Sequence, residues 1–81
     1  MGKSTLKMRL ERSGRHGKAV TVLFELGLDP RGQKELLREL QRACGTGGTA
    51  KDGRIEIQGD HRDQIHAVLT ARGIKIKRAG G

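Results

Sequence analysis

Apolar and polar residues follow two different periods along the chain, and these divide it into strands and helices. They alternate over residues 6–11, 20–26, 54–58 and 74–77, which is the period of strands with one buried face. Apolar residues instead recur at steps of three and four over 30–44 and 61–72, the spacing of amphipathic helices. With a short strand at 49–51, the predicted order is ββαββαβ.

The predicted ends of the first helix rest on three residues. Asp29 is a suitable N-cap, because its carboxylate can accept a hydrogen bond from an otherwise unpaired N–H of the first turn. Pro30 follows at the first helical position, where its missing N–H has no cost. Gly45 stands just after the apolar-periodic run, where a left-handed residue commonly ends a helix.

The next segment contains a hairpin and the start of a second helix. Asp52 and Gly53 are typical of a type I′ turn, which needs φ > 0 at both central positions. Asp60 is predicted to be the N-cap of the second helix, with Asp63 three residues later in a capping-box position. Gly73 is predicted to end that helix.

These elements predict an α+β fold, a two-layer sandwich with two helices packed on one face of a mainly antiparallel five-stranded sheet. We expect one domain over residues 1–81, of which 1–4 form a loose tail. The alternation in the second strand points the ring of Phe24, the only aromatic residue, toward the core. The predicted inner face of the first helix consists of Leu36, Leu37, Leu40, Ala43 and Cys44.

The net charge of +8 is concentrated at the two ends of the chain. Residues 1–18 carry six basic side chains and one acidic, and residues 72–78 carry four basic and none acidic. If the fold brings these segments together, they form a basic face that attracts phosphate. Charge alone leaves a merely solubilising surface as an alternative.

A basic stripe on the first helix is a clearer signal than the total charge. Its four members are three, four and four residues apart, so they fall within about 80° of one another on the face opposite the apolar one. An ordinary solvated helix face remains an alternative for this stripe taken alone. The members are Arg31, Lys34, Arg38 and Arg42.

Two further exposed segments are candidates for contact with RNA. The loop over residues 12–18 combines glycines with basic side chains, namely Arg12, Arg15, His16 and Lys18. The tip of the second hairpin consists of Lys51, Asp52, Gly53 and Arg54. A plain solvated turn is the competing interpretation of both segments.

The sequence contains little that could support catalysis or metal binding. A zinc site needs four ligands at recognisable spacing, and one cysteine with three histidines does not supply them. Cys44 closes an apolar helix face with no base beside it, so an inert core thiol is the favoured interpretation. We therefore expect no enzyme, no metal and no cofactor. No apolar run approaches the length of about 18 residues that a membrane span needs, and we expect a soluble, cytoplasmic monomer.

The middle of the chain resembles a known family. The stretch comprises Cys44-Gly45-Thr46-Gly47-Gly48-Thr49, Lys51-Asp52-Gly53 and Ile55-Glu56-Ile57-Gln58-Gly59-Asp60-His61-Arg62-Asp63. It is similar to the signature of the translation initiation factor 1 family of eukaryotic and archaeal type. The closing Lys75-Ile76-Lys77 and Gly80-Gly81 are most similar to the short bacterial relatives of that family. The resemblance implies the same ββαββαβ architecture.

The resemblance also implies a function. Members of the family bind the small ribosomal subunit beside the peptidyl site and help to reject wrong start codons. Their first-hairpin loop and first helix face ribosomal RNA, and the tip of their second hairpin points toward the initiator tRNA. Those roles correspond here to residues 12–18, to the basic stripe and to residues 51–54. The implied partners are the small subunit, initiator tRNA and other initiation factors.

Two alternatives from other classes remain open at this point. The chain could be a general RNA-binding or RNA-chaperone module without specificity for initiation. It could also be an accessory protein that binds another initiation factor through an apolar surface.

Overall fold

The computed structural model describes residues 5–13 and 18–79. Its elements follow the predicted ββαββαβ order, which confirms the α+β fold class. The strands are β1 (Leu6–Ser13), β2 (Lys18–Phe24), β3 (Gly48–Lys51), β4 (Arg54–Gln58) and β5 (Ile76–Arg78). The helices are α1 (Pro30–Cys44) and α2 (Arg62–Ala71). Within the described ranges, neither helix is long and apolar enough to cross a bilayer.

The strands form one mixed sheet in the order β3-β4-β2-β1-β5. All neighbours are antiparallel except β1 and β5, which run parallel from the pair Leu6 and Ile76. Helix α1 packs over β3 and β4 and against α2, whereas α2 packs over β1 and β5. The sheet therefore has one face covered by helices and one face without them, as predicted.

The core between the layers is aliphatic. Its main members are each at most 2% exposed. The sheet contributes Leu6, Met8, Leu23, Ile55 and Ile57, and the helices contribute Leu36, Leu40, Ile65 and Leu69. Leu37 and Cys44 pack against this core with partial burial, as the helix pattern predicted, but Ala43 is exposed. Ala43 is small enough to stand at the edge of the helix face without a large cost.

The prediction that Phe24 points into the core is wrong. Leu23 is the register partner of Met8, and both are fully buried beneath the helices. Because successive strand residues point to opposite faces, Phe24 lies on the helix-free face. There its ring is half-buried, with the guanidinium carbon of Arg9 5.1 Å from its centroid. The strand is apolar on both faces, so alternation alone could not identify the inner one.

The ends of α1 and the β3–β4 turn agree with the prediction. The Asp29 carboxylate accepts a hydrogen bond from the Gly32 N–H at 2.8 Å, and Gly45 has φ +66°. Asp52 and Gly53 have φ +54° and +75°, the signs that a type I′ turn requires. Side-chain chemistry local to each end is sufficient to place these boundaries.

The start of α2 differs from the prediction, although its end does not. The N-cap is His61 and not Asp60, whose carboxylate binds the Arg62 side chain at 3.0 Å. Asp63 makes no capping box and pairs with Arg78 at 2.8 Å. Asp60 thus has a local partner two residues away, whereas at Asp63 a partner on the last strand has replaced the capping box. At the other end, Gly73 has φ +77°, and the backbone forms the Schellman pattern of hydrogen bonds from 73 to 70 and from 74 to 69.

A buried hydroxyl on β2 holds the turn that leads into α2. Thr21 is 0% exposed, and it is the only polar side chain buried to this degree in the part of the chain described. Its Oγ1 donates to the Gly59 carbonyl at 2.6 Å and accepts from the His61 N–H at 3.0 Å. The first residue before α2 is thus fixed by a side chain 40 positions earlier.

Replacing the hydroxyl with a methyl group tests this anchor. Thr21→Val keeps the side-chain shape but leaves two part-buried backbone groups without their partner, which should cost about 2 kcal/mol. Thr21→Ser keeps the hydroxyl and is the control. In urea unfolding, the free energy of unfolding of Thr21→Val should be clearly lower than that of Thr21→Ser. The reverse order would mean that packing of the methyl group is the more important contribution.

Alanine substitutions at three glycines distinguish the cost of a positive φ from the cost of a steric clash. A Cβ at Gly48 would lie 2.5 Å from the Glu56 carbonyl oxygen, so Gly48→Ala must displace β3 from β4 and should cost about 2–3 kcal/mol. At Gly53 a Cβ meets nothing within 4 Å, and Gly53→Ala should cost only the positive φ, about 1 kcal/mol. Gly47→Ala, which has neither problem, should unfold like the native chain. Thermal melts that failed to give this order would contradict the β3–β4 packing.

Candidate nucleic-acid interface

The basic stripe on α1 is exposed along its whole length. The amphipathic pattern buries Leu36 and Leu40, so the opposite face is directed to solvent. All four stripe residues (Arg31, Lys34, Arg38 and Arg42) are exposed. None of them forms an ion pair with any residue of 5–13 or 18–79. Glu39, which lies next to the stripe, pairs instead with Arg72 at 2.8 Å. No ion pair with the described residues therefore offsets the four charges of the stripe, although the exposed Glu35 lies beside it on the same helix.

Among the described residues outside the stripe, six of the eleven Lys and Arg side chains form ion pairs with acidic neighbours. The N–O distances are 2.7 to 3.7 Å, and the side chains are largely exposed, so each pair contributes little stability. Their effect is to cancel local positive charge. The pairs are Lys7–Glu25, Arg9–Glu11, Arg54–Glu11, Arg54–Glu56, Arg62–Asp60, Arg72–Glu39 and Arg78–Asp63.

The first hairpin is described only at its two ends. Arg12 and Lys18 are exposed where β1 ends and β2 begins, and neither forms an ion pair with the described residues. The predicted site residues Arg15 and His16 lie outside the described ranges. Beside Lys18 a groove of about 660 Å³ opens between the ends of three strands, with Thr46, Gln58 and His61 in its lining.

The tip of the second hairpin is less basic than its sequence indicates. Lys51 and Asp52 are exposed on the rigid turn. Arg54, however, has its guanidinium within 3.7 Å of Glu11 and 3.6 Å of Glu56 on the helix-free face. Arg54 is thus the one predicted site cation, among those described, whose charge is balanced by carboxylates. Lys51 is the cation of the tip that forms no ion pair with the described residues.

The start of β2 and the β3–β4 tip lie at opposite ends of the sheet, and α1 runs between these ends. In the β2–β4 pair Leu23 is opposite Ile55 and Thr21 is opposite Ile57, so the Asp52–Gly53 turn is near the end of β2 and not its start. Helix α1 begins after the end of β2 and finishes where β3 enters the sheet. The 11 positions from Arg31 to Arg42 span about 16 Å. The stripe therefore bridges much of the distance from the tip to the first hairpin loop.

Asp60, which was predicted to be the N-cap of α2, has a pKa that its neighbours alter. Hydrogen bonds from the Arg62 side chain hold the pKa of Asp60 below its usual value, and the charge of Arg12 acts in the same direction. The pKa of the Cys44 thiol is raised by burial, which disfavours the reactive thiolate. No group of three or more potential metal ligands occurs among residues 5–13 and 18–79.

Sequence reasoning missed three features of this surface. The role of Thr21 depends on a partner 40 residues away, and the neutralisation of Arg54 depends on a neighbouring strand. Two exposed lysines without ion pairs, Lys75 and Lys77, were also outside the predicted site. The grouping of basic residues at 72–78 was the only signal in the sequence for these two lysines.

The chain is similar to one protein family and to several individual proteins. The family described as translation initiation factor SUI1 matches residues 2–75. The protein YciH of Escherichia coli K12 is 44% identical over 80 residues, which cover 99% of this chain and 74% of that protein. A protein of Synechocystis sp. is 47% identical over 76 residues, covering 94% and 68%. A protein of Ignicoccus hospitalis, described as a protein translation factor SUI1 homolog, is 41% identical over 68 residues, covering 84% and 64%.

The Asp60–Arg62 pair predicts a small pH dependence of stability. A carboxyl whose pKa is lower in the folded state stabilises the fold above its unfolded pKa of about 3.9 and loses that contribution as the pH falls through the lowered value. The melting temperature of the native chain should therefore exceed that of Asp60→Asn at neutral pH. The difference should shrink in acid. Asp52→Asn, at an exposed carboxylate without an ion pair among the described residues, is the control for general charge effects. A difference that stayed constant from pH 7 to pH 2 would contradict the pairing.

Proposed function

The chain belongs to the SUI1 family of translation initiation factors, and from this we propose that it binds the small ribosomal subunit and influences the selection of the start codon. The family is not enzymatic, which confirms the prediction that this protein is not an enzyme. The proposed action is steric and electrostatic. The protein acts as a monomer in the cytoplasm, held to ribosomal RNA by its cations and oriented so that its second hairpin faces the initiator tRNA.

The observation that carries this proposal is the unbalanced charge of the α1 stripe. Acidic side chains are available near it, but Glu39 is directed to Arg72 on the other helix. Four cations over about 16 Å of one rigid helix suit a phosphate backbone, because each can engage a separate phosphate. A surface whose only role was solubility would gain nothing from keeping its cations apart from the available carboxylates.

The β3–β4 tip is suited to a different task. Its turn residues have the backbone angles of a type I′ turn, so the tip is held by conformation and not by side-chain contacts. It carries one unbalanced cation, Lys51, beside the carboxylate of Asp52. We propose that this tip approaches the initiator tRNA and disfavours imperfect pairing by occupying space, with little contribution to affinity.

One observation favours the alternative of a general RNA-binding module. Phe24 lies on the helix-free sheet face, where sheet-based RNA-binding domains place aromatic rings for base stacking. Arg9 lies over that ring at 5.1 Å and is itself paired with Glu11 at 2.7 Å. Because the ring is already covered, this face is a weaker candidate for RNA than the α1 stripe.

Binding to isolated ribosomal subunits at several salt concentrations tests the proposal. The variant Arg38→Gln, Arg42→Gln removes two stripe cations. Arg62→Gln, Arg78→Gln removes two cations that are already paired with acids outside α1, and it has the same net charge. Loss of two phosphate contacts should make the slope of log K against log[salt] shallower by about 1.4 to 1.8 in the stripe variant. The control should change by much less.

The choice of subunit separates initiation from general RNA binding. A single saturable site on small subunits, with clearly weaker binding to large ones, is expected for an initiation factor. Equal binding to both subunits without a defined stoichiometry would favour the general module. Equal loss of affinity in the stripe variant and the control would mean that diffuse charge, and no particular surface, holds the protein.

A further inference from the structure

Two exposed cations at the last strand, one just before β5 and one within it, have no role in the proposed site. Lys75 and Lys77 flank Ile76, which packs against the core, and both lysines are exposed. Neither forms an ion pair with the described residues, although their neighbours Arg72 and Arg78 both do. Residues 72–78 therefore contain two cations that form ion pairs and two that form none with the described residues.

The strand pairing places Lys77 beside another cation. In the parallel β1–β5 ladder Lys77 is the register partner of Lys7, and Leu6 and Met8 on either side of Lys7 are buried beneath the helices. Lys7 and Lys77 therefore share the helix-free face. Glu25 lies 3.3 Å from the Lys7 ammonium, so the two lysines and this carboxylate together keep one net positive charge. Like charges directly opposite each other on a sheet are destabilising, and a phosphate at Lys77 would offset the charge that remains.

This patch is far from the α1 stripe. Strand β5 is at one edge of the sheet, and α1 packs over β3 and β4 toward the other edge. Four interstrand spacings separate β5 from β3, about 19 Å. The stripe lies on the outer surface of the helix layer, whereas Lys77 lies on the helix-free face. One phosphate group cannot contact both surfaces.

We propose that Lys75 and Lys77 form a second phosphate-binding site for RNA, so that the protein is held between two separate RNA segments. One segment contacts the α1 stripe, and the other contacts the β5 edge together with the helix-free face next to it. This inference rests on the proposed function, because it assumes that the protein binds structured RNA. It adds that RNA contacts the bound protein on two sides.

Edge lysines have another known use, which the test must separate. Charged side chains on a short edge strand oppose pairing with strands of other molecules. Under that interpretation, Lys75→Gln, Lys77→Gln would self-associate without any change in RNA binding. The variant should remain folded, since both side chains are exposed, and thermal melts with analytical ultracentrifugation check this.

The decisive measurement is the salt dependence of binding to isolated small ribosomal subunits. If two phosphates are lost, the slope for Lys75→Gln, Lys77→Gln should be shallower by about 1.5, so that its affinity falls about eightfold less than that of the native chain between 50 and 200 mM salt. The control Arg62→Gln, Arg78→Gln removes equal charge from cations that are already paired with acids, and its slope should change by much less. Equal slopes for the lysine variant and the native chain would overturn the inference.

A second measurement identifies what lies at each surface. A photoreactive amino acid is placed at position 38 on the stripe or at position 79 just after β5, and the products cross-linked on small subunits are mapped. The inference requires ribosomal RNA at both positions, in different segments. Cross-links from position 79 to ribosomal protein alone, or to the nucleotides reached from position 38, would overturn it.

The two proposals can fail separately. A native chain that does not bind small subunits would overturn the proposed function and this inference together. Native binding that depends on the α1 stripe, with an unchanged slope in the lysine variant, would overturn this inference alone.

Discussion

The pair of hydrogen bonds at the Thr21 hydroxyl is the constraint on which much of the surface depends. It fixes the turn before α2 to the centre of the sheet, at 2.6 and 3.0 Å. The position of α2 in turn brings Arg72 to Glu39 on α1 and Asp63 to Arg78 at the end of β5. These pairs decide which cations are balanced. A buried polar contact in the sheet thus helps to determine where positive charge remains available.

Local chemistry was sufficient for most of the fold. The Asp52–Gly53 turn and the Gly73 helix end could be predicted because each depends on the backbone preferences of the residues themselves. The prediction was wrong at the start of α2. Asp60 has the chemistry of an N-cap, but its carboxylate binds the side chain of Arg62, two residues on, at 3.0 Å and the Arg62 N–H at 3.4 Å. The distant Thr21 hydroxyl accepts from the N–H of His61, the residue that caps the helix.

The candidate site was partly predictable for the same reason. Helical spacing alone placed the α1 stripe on an exposed face, because the apolar residues of that helix define the opposite face. The sequence could not predict which cations have an acidic partner, because partners such as Glu39 and Arg72 are 33 residues apart. The burial of Phe24 was also ambiguous, because β2 is apolar on both faces and only the pairing of Leu23 with Met8 identifies the inner one.

The parallel pairing of β1 with β5 has a consequence for how the chain folds during synthesis. The outer edge of β1 has no strand partner until residues about 70 positions later have been made. At typical translation rates that interval is roughly 4 to 14 s. From the moment β2 pairs with β1 until the end of that interval, the nascent protein presents an open sheet edge to its surroundings. Lys7, in the middle of the edge that β5 later covers, is a side chain that discourages premature pairing with other chains.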